Sequence, residues 1–158
     1  MEEIIFKHMY TVRGITENSI RKIPEEFADI IPEGFKNSIR WNFGHIAYVQ
    51  ERLVFGLCGE TMNTPTAYEE FFKAGTSPSE WKITPPTLSA IAEVLSNQKD
   101  RIPEFIKSNF NKELVKPFTN SGGLTFHTVG ETFLFSLYHE AMHIQTIKMI
   151  YHAIKSQA

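Results

Sequence analysis

The sequence predicts an all-α protein, a four-helix bundle with two long connections. Four stretches of roughly 20 residues repeat apolar side chains at the spacing of a helix face. The segments between them are rich in Pro, Gly and Asn, and no stretch sustains the two-residue alternation of a half-buried strand. At 158 residues, we expect one domain over residues 1–158, large enough to bury a core without disulfides or a structural metal.

The first predicted helix runs from about Glu2 to Lys22, and a short helical turn is expected at residues 25–30 in the connector that follows. Its predicted inward stripe consists of Ile5, His8, Val12, Ile15 and Ser19. The second helix begins near Asn37-Ser38, which are good N-cap residues, and runs to Leu57. Gly59 can end it, and the next connector holds a further helical turn at residues 67–73.

Thr84-Pro85-Pro86 predicts the start of the third helix, because a capping residue is followed by proline in the first turn. That helix runs from Pro86 to about Lys107, and Pro103 is expected to bend it or end it early. Segment 109–125, with Pro117 and a Gly-Gly pair, is predicted as a loop that could form a small hairpin.

The fourth predicted helix begins at Thr128, whose spacing to Glu131 makes a capping box, and continues to about Ile154. It is apolar nearly all round, which is typical of a helix buried on more than one side. We therefore expect it to take a central position or to form a subunit interface, and we predict a homodimer.

Composition excludes several classes of function. The net charge of −2 and the scattered basic residues argue against nucleic-acid binding. Cys58 is the only cysteine, so disulfides and cysteine zinc sites are excluded. No signal peptide and no membrane span are visible, so we expect a cytoplasmic protein that acts on a small molecule.

The segment from His139 to His143 reads H-E-A-M-H, which fits the H-E-x-x-H pattern of zinc proteases. Two histidines four residues apart lie on one face of a helix, where both can reach one metal ion. Zinc proteases with this motif take the third metal ligand from downstream of the second histidine. This chain offers no suitable ligand there, so the protease interpretation fails. Only 15 residues follow His143, none of them acidic, and the one histidine among them, His152, lies on the opposite helix face.

A third ligand must therefore come from upstream, and His45 in the second helix is the best candidate. Three neutral imidazoles leave a divalent metal with an open position, the pattern of a catalytic site. The stripe of His139 and His143 also carries small or polar residues, which predicts a cavity wall rather than a packed core: Thr132, Phe135, Ser136 and Thr146.

The roles of Glu140 and Arg52 stay open at this point. Glu140 could hydrogen-bond a metal ligand, act as a catalytic base, or pair with a basic residue of a neighbouring helix. Arg52 lies two turns from His45 on the same stripe, where it could hold an anionic substrate group or take a salt bridge. His127 and His152 are not expected to be ligands, and His8 could line the cavity.

Trp41 to His45 forms a W-x-x-x-H motif, and with the H-E-x-x-H motif it resembles the DinB/YfiT-like family of metalloenzymes. The resemblance covers nearly the whole chain. It implies an up-down-down-up four-helix bundle, often a homodimer, with one divalent metal, zinc or nickel, on three histidines that map onto His45, His139 and His143. Members with known activity are transferases or isomerases that use low-molecular-weight thiols, including bacillithiol S-transferases.

Three functions follow as hypotheses. The first is a metal-dependent transferase that activates a low-molecular-weight thiol against an electrophile. The second is a metal-dependent hydrolase with Glu140 as the catalytic base. The third is a non-catalytic, metal-binding dimeric module.

Overall fold

A computed structural model describes residues 2–157. These residues form five α-helices and one antiparallel hairpin, so the all-α class is confirmed and the hairpin suggested for segment 109–125 is present. The helices are α1 (Glu2–Lys22), α2 (Ile39–Val54), α3 (Ala67–Phe72), α4 (Leu88–Asn109) and α5 (Val129–Gln157). The strands are β1 (Glu113–Thr119) and β2 (Thr125–Thr128).

Side-chain caps fix the starts of the long helices. Ser38 caps α2 by accepting a hydrogen bond from the Trp41 amide at 3.2 Å. At α5 the predicted capping box is confirmed: the Glu131 carboxylate accepts from the Thr128 amide at 2.9 Å, and the Thr128 hydroxyl accepts from the Glu131 amide at 3.4 Å. These bonds satisfy amide groups that have no partner inside the helix.

The start predicted for α4 was wrong in detail. The helix is capped by Thr87, which accepts from the Ala90 amide at 3.1 Å, so residues 84–86 stay outside it. Arg40 holds that segment in place by donating to the Pro86 carbonyl at 2.9 Å. Pro103 does not end the helix early, because α4 continues to Asn109. Pro103 is buried there, and packing compensates for the lost backbone hydrogen bond.

The central helix is α2. Every residue of α2 except Val49 and Arg52 is buried, and the helix packs against α3, α4 and α5. Helix α5 instead keeps one apolar face exposed along its length, consisting of Leu134, Tyr138, Met142 and Met149. The central helix is therefore α2 and not the more hydrophobic α5. The polar residues of α2 can be buried because they have hydrogen-bond partners.

The inward face of α1 differs from the predicted stripe. His8 is exposed and Ile15 is 45% exposed, whereas Arg13 and Thr16 are fully buried. Helix α1 is rotated about its axis relative to the predicted orientation, because Arg13 pairs with Glu140 of α5. The Arg13 Nε donates to Glu140 Oε1 at 3.0 Å, and its Nη2 donates to Oε2 at 3.1 Å. A buried carboxylate needs such a partner, and this requirement outweighs the apolar periodicity.

A polar network extends from this ion pair to the other long helices. Arg13 donates to the Leu95 carbonyl of α4 at 2.6 Å and to Gln50 of α2. Gln98 of α4 donates to the Ala47 carbonyl of α2 at 2.7 Å. Among the described residues, no buried side-chain nitrogen or oxygen lacks a partner. The network thus links α1, α2, α4 and α5 through bonds that fix one relative arrangement.

Across residues 2–157, no helix combines the length and the apolar character needed to span a bilayer.

We expect Glu140→Leu to lower the free energy of unfolding by about 3–5 kcal/mol, because Arg13 is left buried without its counter-charge. The double variant Arg13→Met/Glu140→Leu should be more stable than either single variant. Urea unfolding measures both. The exposed pair of Lys107 and Glu104 is the control, and Glu104→Gln should cost less than about 1 kcal/mol. Additive effects of the two single substitutions would contradict the prediction.

Candidate metal centre

Three histidines meet where α2 packs against α5. His45 comes from the middle of α2, and His139 and His143 lie one turn apart on α5. One ring nitrogen from each histidine lies within 4.8 Å of the other two. The Nε2 atoms of His45 and His139 are 3.2 Å apart. The structure therefore brings together the three residues that the sequence predicts as ligands.

The tautomer of His45 is fixed by a carbonyl. Its Nδ1 lies 2.6 Å from the Phe72 carbonyl oxygen at the end of α3, and a carbonyl can only accept. The proton is therefore on Nδ1, and the Nε2 lone pair faces the other histidines. Trp41, one turn earlier, stacks on the His45 ring at 4.4 Å between centroids and 15° between planes. The W-x-x-x-H motif thus places the Trp41 ring against the His45 ring.

His143 is oriented in a similar way by a side-chain amide. Its Nδ1 lies 2.8 Å from Asn42 Oδ1. Asn42 Nδ2 donates to the Ser38 carbonyl at 2.8 Å, so the amide oxygen faces His143. His143 then donates from Nδ1 and keeps its Nε2 lone pair available. Such partners of the ligating ring are typical of metal sites.

The environment keeps the histidines neutral. Burial, followed by the charges of His143 and His45, lowers the pKa of His139 to about 2. Burial and then the charge of His45 lower the pKa of His143 to about 4. Burial also lowers the pKa of His45 against the opposing effect of the Phe72 carbonyl. Neutral imidazole is the form that binds a metal ion.

The donor set fits a divalent metal. Two nitrogens bound at about 2.1 Å with a tetrahedral angle lie about 3.4 Å apart, close to the 3.2 Å between the Nε2 atoms of His45 and His139. Because the His45 proton is on Nδ1, the Nε2 lone pair can accept a hydrogen bond from His139 Nε2 at 3.2 Å. A metal ion in this place would instead bind the lone pairs of the three rings.

The match to a family covers this constellation. A family model for the DinB superfamily matches residues 8–147. The chain belongs to the DinB superfamily. The matched region includes all three histidines, Trp41 and the whole of α2 to α4. No curated protein matches the chain.

Glu140 is the residue of the DinB H-E-x-x-H segment that faces away from the histidine cluster. Its carboxylate accepts from Arg13 on both oxygens and from the Thr16 hydroxyl at 2.5 Å. Of the alternatives for Glu140, pairing with a basic residue of a neighbouring helix is the one observed. Its catalytic role stays a prediction, and it would require Glu140 to leave the Arg13 pair.

The predicted cavity wall is only partly present. Thr132 and Ser136 are buried and hydrogen-bonded to the Leu53 and Phe133 carbonyls at 2.7 and 2.6 Å. They therefore pack between helices and do not line a cavity, because each hydroxyl finds a backbone acceptor. Phe135 is half-buried beside His139, with ring centroids 6.4 Å apart.

An aromatic series runs from His139 to the hairpin. Phe135 contacts Phe126 at 5.0 Å, and Phe126 stacks with Phe118 at 6.1 Å between ring centroids. The Arg52 guanidinium lies 5.5 Å from the Phe118 ring centroid. Within residues 2–157, Arg52 has no carboxylate within salt-bridge distance, so the salt bridge considered for it is absent. An aromatic surface and one cation thus lie on the α5–hairpin side of the histidines.

Sequence reasoning missed three groups that support the site. The Phe72 carbonyl comes from a connector whose position no local pattern reveals. Asn42 precedes His45 by three residues on the same helix face, which is a usable signal. Arg13 follows Val12 of the predicted inward stripe directly, and no local pattern shows that it is buried. His8, His127 and His152 are exposed and lie outside the cluster.

For the metal-free protein, we expect the free energy of unfolding to fall as pH drops below about 6.5. The folded pKa values of His139 and His143, about 2 and about 4, lie below the ordinary value of 6.5, so the unfolded chain binds protons that the folded chain does not. Each histidine adds a slope of about 1.4 kcal/mol per pH unit between its two pKa values.

Urea unfolding between pH 7 and 5 after chelation measures this slope. His139→Gln removes one titrating group, so its stability should depend less steeply on pH than that of the wild type. Equal slopes in the two proteins would show that His139 is not held neutral.

Proposed function

We propose that this DinB protein is a metal-dependent transferase that activates a low-molecular-weight thiol, with the metal held by His45, His139 and His143. The observation that supports metal binding is that three neutral imidazoles converge, and two of them are oriented by hydrogen-bond partners at Nδ1. The set contains no carboxylate, so zinc or nickel is the expected metal.

The chain's own residues would orient the ligands and keep them deprotonated. The Phe72 carbonyl and Asn42 hold the Nδ1 protons of His45 and His143, and Trp41 fixes the plane of the His45 ring. When bound, a divalent metal lowers the pKa of a coordinated thiol, so that the thiolate is present at neutral pH. Three protein ligands leave room for that thiol.

The reaction class is nucleophilic substitution at an electrophilic carbon. The thiol proton passes to solvent, the sulfur forms a bond to the carbon, and the leaving group departs with its electron pair. The sequence resemblance to thiol-dependent transferases supports this choice. The geometry of the histidines supports metal binding alone.

Arg52 and the aromatic series favour an anionic thiol. A guanidinium without a carboxylate partner, lying beside aromatic rings that lead to His139, suits a carboxylate on the co-substrate. The rings of Phe118 and Phe126 would cover the apolar part of the same molecule. No specific observation favours the hydrolase, because both oxygens of Glu140 are engaged by Arg13.

We also propose that the chain forms a single four-helix-bundle domain of the up-down-down-up type and associates as a homodimer. Contacts among α1, α2, α4 and α5 support the bundle. The exposed face of Leu134, Tyr138, Met142 and Met149 supports association through α5. Sedimentation of the wild type and of Tyr138→Lys tests the dimer, and a wild-type monomer at all concentrations would refute it.

Metal analysis of the purified protein should give about one divalent ion per chain. His45→Ala and His139→Ala should lose it, because two imidazoles are a poor site for zinc or nickel. His152→Ala is the matched control, since His152 is exposed on the same helix as His139 and outside the cluster. Full metal content in His139→Ala would refute the ligand set.

With metal bound, we expect transfer of mercaptosuccinate to 1-chloro-2,4-dinitrobenzene. Arg52→Gln should raise KM for mercaptosuccinate about tenfold, the effect of losing one charge-assisted contact, with little change for neutral 2-mercaptoethanol. Absorbance of the aryl thioether measures both.

Glu140→Gln separates this function from the hydrolase. A hydrolase should lose most of its rate with this variant, whereas thiol transfer should be affected far less. Equal effects of Arg52→Gln on the anionic and neutral thiols would contradict the role of Arg52.

A further inference from the structure

A second cavity lies apart from the three histidines. It has a volume of about 670 Å³ and is bounded by α2, α3, α4 and the segment at residues 83–86. Its lining includes Glu51, Tyr68, Phe71, Pro86, Glu93 and Arg101. None of the three histidines lines it. The volume is in the range of small-molecule sites.

The charge at the base of the cavity is already compensated. Glu51 is fully buried, and its carboxylate accepts from the Asn63 amide at 2.7 Å, from Gln98 at 2.9 Å and from Arg101 at 3.1 Å. Arg101 also lies 4.6 Å from the Phe55 ring centroid. Both charges have partners, so they shape the cavity and leave no net charge there.

Two polar groups of the lining remain without partners. Tyr68 is only 3% exposed, yet within residues 2–157 its hydroxyl has no hydrogen-bond partner. Burial and the charge of Glu93 raise the pKa of Tyr68 to about 12, so the hydroxyl stays protonated. Glu93 forms no salt bridge in the described part of the chain. Because no buried side-chain oxygen of the described residues lacks a partner, the Tyr68 oxygen belongs to the small exposed part of this side chain, and at the cavity it is an unused hydrogen-bonding group.

The walls of the cavity are apolar and held in place. Phe71, Ile83, Pro85 and Val94 supply hydrophobic surface. Glu25 anchors the rim by accepting from the Leu88 amide at 3.0 Å, and Arg40 donates to the Pro86 carbonyl at 2.9 Å. A preformed wall of this kind lowers the ordering cost of binding.

We infer that this cavity binds a small molecule with an aromatic or apolar body and a protonated amine. Glu93 supplies the counter-charge, and the Tyr68 hydroxyl accepts a hydrogen bond from the ammonium group. The carboxylates of Glu51 and Glu93 and the guanidinium of Arg101 sum to a net charge of −1, which disfavours an anion. The aromatic rings of Tyr68 and Phe71 favour a cation further.

Titration of the full chain with phenethylamine, followed by amide NMR shifts, tests the inference, with 3-phenylpropionate as the probe of opposite charge. We expect saturable binding of the amine, at least about tenfold tighter than that of the carboxylate. The shifts should be centred on α3, residues 83–86 and the first half of α4. No saturable binding of phenethylamine, or equal affinity for both probes, would overturn the inference.

Two substitutions test which side chains bind the amine. Glu93→Gln should weaken phenethylamine binding about tenfold, and Tyr68→Phe should weaken it by a smaller factor. Asp100→Asn is the matched control, because Asp100 is an exposed carboxylate of the same helix outside the lining. His152→Ala should leave the affinity unchanged, because His152 is exposed on α5 and lies outside both the lining and the histidine cluster. An unchanged affinity in Glu93→Gln would refute the assignment.

Discussion

The ion pair between Arg13 and Glu140 is the interaction on which the arrangement of the helices depends. Both side chains are buried at the centre of the protein, and each makes further bonds within a network that reaches α2 and α4. A buried charge tolerates no arrangement that leaves it unpaired, so the pair fixes the rotation of α5 against α1. Glu140 is adjacent to His139. With Glu140 directed at α1, the histidines on the neighbouring face are directed at α2.

The second constraint is the short helix α3. It approaches α2 closely at Gly44, where any Cβ atom would collide with the Phe72 ring. That approach brings the Phe72 carbonyl to His45 and fixes its tautomer. Tyr68 and Phe71 of the same helix line the second cavity. One six-residue helix therefore contributes to both the metal centre and the second cavity.

The two sides of the metal centre differ, because the hairpin lies on only one of them. On one side, Phe72 and Trp41 cover His45, and Trp41 is itself held by a hydrogen bond to Thr76 at 2.9 Å. On the other side, rings of the hairpin continue from Phe135 towards Arg52. The chain thus combines three oriented histidines with an aromatic surface beside them, an arrangement that is compatible with metal binding.

The sequence by itself determined the long helices, the caps of α2 and α5 and the three histidines, because periodicity, capping and i,i+4 spacing are local properties. It also indicated the family through the Trp41–His45 and His139–His143 motifs. Only the tertiary structure decided what each neighbouring group does. Glu140 pairs with a residue 127 positions away, and the Phe72 carbonyl that orients His45 lies 27 positions from it in a separate short helix. Such contacts depend on how distant helices are rotated, and that rotation is set by burial and charge pairing between chain segments that no local pattern relates.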